Sequence, residues 1–174
     1  GSQSWTKQFP GLADFFASQR RTFVPLKGTK DPELFSTFRY GRDELTYHFP
    51  APAGEYSIEL YFTEPWLGIG GGTDAKGMRV FDVAVNGKVV LKDLDIYKEA
   101  GSNKVLKKII TAQSANSELI ISFPRLTAGQ AVISAIAIAT KKPPKLKARE
   151  LSLATIHSPS NVSTEHWLDI GQQV

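Results

Sequence analysis

Apolar and polar residues alternate with a period of two through much of this chain. In residues 55–63, EYSIELYFT, the side chains of Tyr56, Ile58, Leu60 and Phe62 fall on one face, and Ser57, Glu59 and Thr63 fall on the other. That is the signature of a half-buried β-strand. Leu45, Tyr47 and Phe49 repeat it, as do Phe81, Val83 and Val85, and Leu119, Ile121 and Phe123. Residues 132–140, VISAIAIAT, read as a further strand, with Ile136 and Ile138 on one face and alanines opposite, so another part of the chain is expected to pack closely over the alanine side. Asn86-Gly87 predicts a tight hairpin, because a type I′ turn needs positive φ at both central residues. Pro50-Ala51-Pro52-Ala53-Gly54 is a connection that cannot pair. Many short strands with turn signals between them predict an all-β fold, an antiparallel β-sandwich with at most one short helix. The segment that suits a helix is 11–20, GLADFFASQR.

Composition refines this picture. The 174 residues suffice for one domain with its own core, and 41% hydrophobic against 22% charged residues is a globular balance. There is no cysteine, which excludes disulfides, thiolate metal sites and cysteine nucleophiles. No apolar run approaches the roughly 20 residues of a spanning helix, so no membrane association is expected. The net charge of +4 is unevenly spread: five basic residues and no acid lie in KKPPKLKAR, residues 141–149. This stretch reads as an extended, self-repelling linker. It lacks the interleaved aromatics of a single-strand binder, so nucleic acid is not an expected partner. A second excess lies in residues 20–42, where Arg20, Arg21, Lys27, Lys30, Arg39 and Arg42 face only Asp31 and Glu33. The expected organisation is a tag remnant at 1–2, a β-sandwich at 3–140, the linker at 141–149, and a trailing segment at 150–174 that either begins a following region or packs back on the domain.

Templates for catalysis are missing. There is no G-x-S-x-G elbow and no H-E-x-x-H, and His48, His157 and His166 are scattered. His48 falls on the outward face of its strand. The glycine cluster Gly68-Ile69-Gly70-Gly71-Gly72-Thr73-Asp74 lacks a Lys-Ser/Thr ending and precedes a strand, so it reads as a long flexible connection rather than a phosphate cradle. Trp66 stands at its flank. An aromatic ring there can stack on the apolar C–H face of a sugar, or it can plug the end of the sandwich. Arg39, Tyr40, Arg42 and Asp43 crowd one loop before a strand. Guanidinium forks suit carboxylates or vicinal hydroxyls, and an Arg–Asp pair fixing the loop is the alternative. Asp93 and Asp95 are either ligands of a structural Ca²⁺ or a salt-bridged strand end. No other cofactor is expected.

The runs FRYGRDELTYHFP, GEYSIELYFTEPW and FDVAVNGKVVLKDLDIYKEAG resemble the malectin-type carbohydrate-binding domain over residues 36–140, most specifically in F-D-V-x-V-N-G followed by V-x-K-D-L-D-I. Residues 5–35 resemble more closely the malectin-like module that follows the catalytic barrel in large bacterial family-2 glycoside hydrolases of the β-galactosidase type. The closing WLDIGQQV is similar to the segment following that module. The resemblance implies a jelly-roll-like sandwich that binds glycans through loops at one end. It places one aromatic ligand at Tyr40 and an aromatic pair at Trp66 and Leu67, one ring of which is lost; the family's acidic ligand falls near Gly129-Gln130, where there is no carboxylate.

The resulting expectation is a non-catalytic carbohydrate-binding module of a periplasmic or extracellular bacterial glycoside hydrolase. Tyr40 and Trp66 would stack on the sugar, with Arg39, Arg42 and Asp43 as polar contacts and Asp74 and Lys76 as further contacts from the glycine-rich loop. The expected ligand is a neutral galactoside or glucan, or an acidic pectic polysaccharide. The rival expectation is a structural domain that packs on the catalytic domain or a neighbouring subunit without binding sugar.

Overall fold

The computed structural model describes residues 5–7, 16–20, 24–41, 45–141 and 165–169, with side chains for 20, 24–41 and 45–141. The strands begin with β1 (Trp5–Lys7), β2 (Phe16–Gln19), β3 (Thr37–Gly41), β4 (Thr46–Pro50) and β5 (Gly54–Thr63). They continue with β6 (Val80–Val85), β7 (Lys88–Leu94), β8 (Val105–Ser114) and β9 (Glu118–Ser122). The remainder are β10 (Leu126–Ala128), β11 (Ala131–Ile133), β12 (Ala135–Thr140) and β13 (Glu165–Asp169). A 3₁₀ turn at Glu33–Phe35 and one short helix, α1 (Ile96–Ala100), complete the elements among the described residues. No described helix is long and apolar enough to cross a membrane.

One sheet has the order β1-β13-β12-β5-β8, a second the order β10-β6-β9-β4 with β7 on β6, and a third the order β11-β3-β2. Pairing is antiparallel apart from β1 with β13. The core lies between the first two sheets. Ile58, Leu60 and Phe62 of β5 and Ile136 of β12 are fully buried there against Phe81 and Val83 of β6 and Leu119 and Ile121 of β9. Each expected apolar row therefore faces inward, and each large side chain so buried contributes roughly 1.5–3 kcal/mol. The alanine side of β12 is covered as expected: Ala135 packs with Leu26, Leu34 and Phe35, so the 3₁₀ turn closes over the back of that sheet. Asn86 (φ 49) and Gly87 (φ 77) form the β6–β7 turn in the expected conformation.

Two local readings are corrected. Phe16–Gln19, expected within a helix, is strand β2, aligned with β3 from Phe16↔Tyr40 to Gln19↔Thr37; the ladder offered by β3 outweighs a weak helical pattern. Residues 11–15 lie outside the described residues. Phe38–Gly41, expected as a loop, belongs to strand β3, which sends successive side chains to opposite faces. The helix forms instead at α1. Asp95 caps it by accepting from the Lys98 amide at 2.9 Å, and Gly101 (φ 84) ends it with its amide on the Tyr97 carbonyl. Within the trailing segment, Glu165–Asp169 pairs with β12 from Ala135↔Asp169 to Ala139↔Glu165.

Candidate functional site

The inward row of β5 runs Tyr56, Ile58, Leu60, Phe62, and the next position in that period is Glu64. The inward row of β6 extends backwards in the same way from Phe81 to Arg79. Each row thus ends in a charge that the sheets carry into the interior, and the two meet. Arg79 Nε donates to Glu64 Oε2 at 2.6 Å and Nη2 to Oε1 at 3.3 Å, with the side chains 4% and 0% exposed. Glu64 Oε1 also accepts the amides of Trp66 (3.1 Å) and Leu67 (3.0 Å), which bends the chain sharply after β5. Arg79 Nη1 donates to the Gln130 carbonyl at 2.6 Å. Both charges are therefore paired and hydrogen-bonded, which burial demands, and together they tie three chain segments into one unit.

That unit positions the aromatic rings. Trp66 meets Phe38 edge-on at 4.9 Å between centroids and Tyr40 at 5.1 Å, and the Arg79 guanidinium carbon lies 5.6 Å from its ring centre. Phe38 is fully buried, whereas Tyr40 and Trp66 are half-buried at the rim of the core. Edge-to-face pairs of this kind contribute about 0.5–1.5 kcal/mol beyond burial. The structure thus brings Tyr40 and Trp66 into direct contact, both residues being half-buried.

The other expected contacts are placed differently. Arg39 follows strand alternation to the face of β3 opposite Tyr40 and is only 7% exposed, so it is removed from the aromatic pair. Burial lowers the Arg39 pKa, opposed by its attraction to nearby Tyr47, whose own hydroxyl burial holds well above the phenol range. Arg42 and Asp43 lie outside the described residues. Asp74 and Lys76 are exposed on the glycine-rich connection and engage each other: Asp74 Oδ1 accepts the Lys76 amide at 3.2 Å, and the ammonium stands 3.4 Å from Oδ2.

The connection expected to be flexible is tethered at several points. Gly68 (φ 70) passes so close to Tyr97 that a Cβ would lie 2.2 Å from its ring. Tyr97 Oη donates to the Thr73 carbonyl at 3.3 Å, and Ser102 Oγ donates to that of Gly68 at 3.1 Å. Asp95 is fully used in capping α1 and in accepting the Gly77 amide at 2.7 Å. Asp93 pairs with Arg125. The salt-bridged reading thus accounts for Asp93, and a helix cap accounts for Asp95. His48 is exposed and bonds Glu118 at 2.9 Å, an ordinary surface pair.

Sequence reasoning missed Glu64, Arg79 and Phe38. The signal was present: two inward apolar rows, each ending in a charge of opposite sign, imply that the charges are buried together. Gly129 (φ 67) fits against the strand entry at Met78, where a Cβ would meet the Met78 carbonyl at 2.7 Å. The segment expected to carry an acidic ligand is thereby held against Arg79.

Comparison with known proteins places the chain in a family. The family model of the malectin domain matches residues 4–148. Malectin-B of Xenopus laevis is 33% identical over 93 residues, covering 53% of this chain and 32% of that protein. Receptor-like protein 4 of Arabidopsis thaliana is 33% identical over 126 residues, 70% of this chain and 19% of its own length. The crystal structure of a Bacteroides uniformis β-glucuronidase superposes with a TM-score of 0.63 at 26% identity, over 75% of this chain and 14% of that one. The chain spans about a third of the length of the malectins and a smaller share of the other two. With the family model matching residues 4–148, this chain belongs to the malectin-domain family of non-catalytic, carbohydrate-binding domains.

Proposed function

We propose that this chain serves as the glycan-binding accessory module of a multidomain bacterial glycoside hydrolase of family-2 type, acting outside the cytoplasm, and that it holds sugar against the paired rings of Tyr40 and Trp66. The observation that carries this reading is the half-buried Tyr40–Trp66 pair, with Trp66 set against an Arg79 that Glu64 holds in place. A preorganised aromatic edge costs little to order when a sugar docks. The enzyme context is supported by the β-glucuronidase, in which the similar region is a small part of a larger chain. The proposed ligand class includes neutral galactosides and glucans and acidic pectic chains, and the catalytic domain of the same polypeptide is the proposed covalent partner.

Titration of the whole chain with galactan, β-glucan and homogalacturonan tests this. Tyr40→Ala should weaken binding at least about tenfold, near 1.4 kcal/mol, in protein that circular dichroism shows still folded; Trp66→Ala should weaken it further. The second reading, a structural domain packing on the catalytic domain, draws on the three contacts that hold Trp66 in place. It would prevail if no glycan bound and if the Tyr40–Trp66 surface became protected only when joined to the catalytic domain.

A further inference from the structure

A recess of about 180 Å³ opens between the segment at 24–27, the tip of the glycine-rich connection and residues 102–103, lined by Val24, Lys27, Ile69, Gly70, Ser102 and Asn103. Neither Tyr40 nor Trp66 lines it. Asn103, in the left-handed region at φ 55, forms part of its wall. Its Nδ2 donates to the carbonyls of Val24 (2.9 Å) and Pro25 (3.0 Å), and its Oδ1 accepts from Arg20. Its amide donates to the Glu64 carbonyl and its own carbonyl accepts the Lys27 amide, both at 3.1 Å. With every polar group engaged, Asn103 is a rigid wall. Ser102 Oγ donates to Gly68, which leaves its lone pairs for an incoming hydroxyl.

Lys27 is the one charged residue among those lining the recess. It is paired by a parallel bridge with Lys104, which lies outside the recess lining. Like charges on directly paired residues repel. Both are exposed, and among the described residues neither forms a salt bridge, nor does Arg20, held against Asn103. Glu64 is committed to Arg79 and Asp74 to Lys76, while Asp31 and Glu33, exposed on the segment that carries Lys27, form no salt bridge among the described residues. Val24, half exposed, and Ile69 add apolar wall. A free inorganic anion would use the ammonium groups and gain nothing from Val24, Ile69 or Ser102. An acidic sugar uses all of them.

We propose that this recess is a second subsite that takes a uronic-acid residue, with its carboxylate on Lys27 and turned toward the bridge partner Lys104 outside the lining, its C–H face on Val24 and Ile69, and a hydroxyl on Ser102 Oγ. The inference deepens the glycan-binding reading and rests on it. The recess adjoins the aromatic pair along the chain, since Ile69 and Gly70 follow Trp66 by three and four positions.

Amide spectra of the whole chain test it, with Gly70, Ser102 and Asn103 as reporters for the recess and the Trp66 indole N–H for the aromatic pair. The probes are glucuronate, its methyl ester, inorganic sulfate and a neutral galacto-oligosaccharide. Glucuronate should give saturable shifts at the three recess amides, weakening as salt is added. The methyl ester should bind about three- to tenfold more weakly, the gain expected of two exposed ion pairs. Lys27→Ala/Lys104→Ala should remove that preference while leaving the remaining spectrum and the response of Trp66 to the neutral sugar intact. Equal affinity for acid and ester, an equal response to sulfate, or an unchanged preference in the double variant would overturn the subsite. A silent recess with a responsive Trp66 would remove the subsite and spare the module; silence at both would remove both.

Discussion

Glu64 and Arg79 meet in the interior because each occupies the next inward position of a strand whose preceding inward residues are apolar. Two charges taken out of water are tolerable only as a satisfied pair, so removing one partner is costly. Glu64→Gln should lower stability by about 3–5 kcal/mol. The double variant Glu64→Leu/Arg79→Met should lose much less than the sum of the single losses, as read from urea unfolding in a double-mutant cycle; additive losses would mean the pair is not a unit. Asp82 presents a second charged contact. The two hydrogen bonds of Arg125, at 2.9 and 3.1 Å, hold its carboxyl below the usual carboxylate range; desolvation opposes them, and the Asp93 amide at 2.7 Å assists. A pKa lower in the folded than in the unfolded state stabilises above the unfolded value, about 3.9, and that contribution is lost as pH falls through the folded value. The difference in urea midpoint between the wild type and Arg125→Ala should therefore be full near neutrality and shrink under acid. A difference that grew on acidification would contradict the assignment.

Among elements, β8 shows where pattern reading fails. It pairs with β5 along ten residues, from Gly54↔Ser114 to Thr63↔Val105, yet Lys108 sits on its inward row while Ile109 points outward and is 63% exposed. An edge strand can break alternation in this way: Lys108 reaches the rim to bond Glu99, and a charged edge discourages pairing with other chains. The alternation of β4, β5, β6 and β9 was legible because every apolar residue of their inward rows is buried in the core. Helix α1 was also legible in principle, through Asp95 before it and Gly101 after it, but five residues carry too little periodicity to announce a helix. Asp95→Ala should cost about 0.5–2 kcal/mol through the cap. Hydrogen exchange should localise the effect, with the Lys98 and Gly77 amides exchanging faster and the β5 and β6 amides little changed. Uniform acceleration would show that α1 is instead part of the global core.

At the scale of the whole molecule, two sheets enclose the main core, and the 24–35 segment seals the back of one of them. Phe35 is 1% exposed and meets Tyr61 edge-on at 6.1 Å, while Leu34 and Leu26 complete the cover over Ala135. Phe35→Ala should cost about 3–5 kcal/mol, as for other buried aromatics, and lower the midpoint of global unfolding by circular dichroism. A loss under about 1 kcal/mol would mean that the cover is dispensable. Within this framework the candidate site was partly legible: Tyr40 and Trp66 stood out as aromatics beside loop signals and do meet. Arg39 did not join them, because residues 37–41 extend as a strand and alternation turns it away.

The sequence by itself determined the inward rows, the Asn86-Gly87 turn, the all-β class and the family, because each is written in the local spacing of residue types or in a matched motif. Only the tertiary structure decided that Phe16–Gln19 would take strand form beside β3, that Glu64 would find Arg79, and that Lys27, bridged to Lys104, would line a recess with Asn103. Those outcomes depend on which distant segments come into contact. Local periodicity states which face of a strand avoids water; it does not state which partner will cover it.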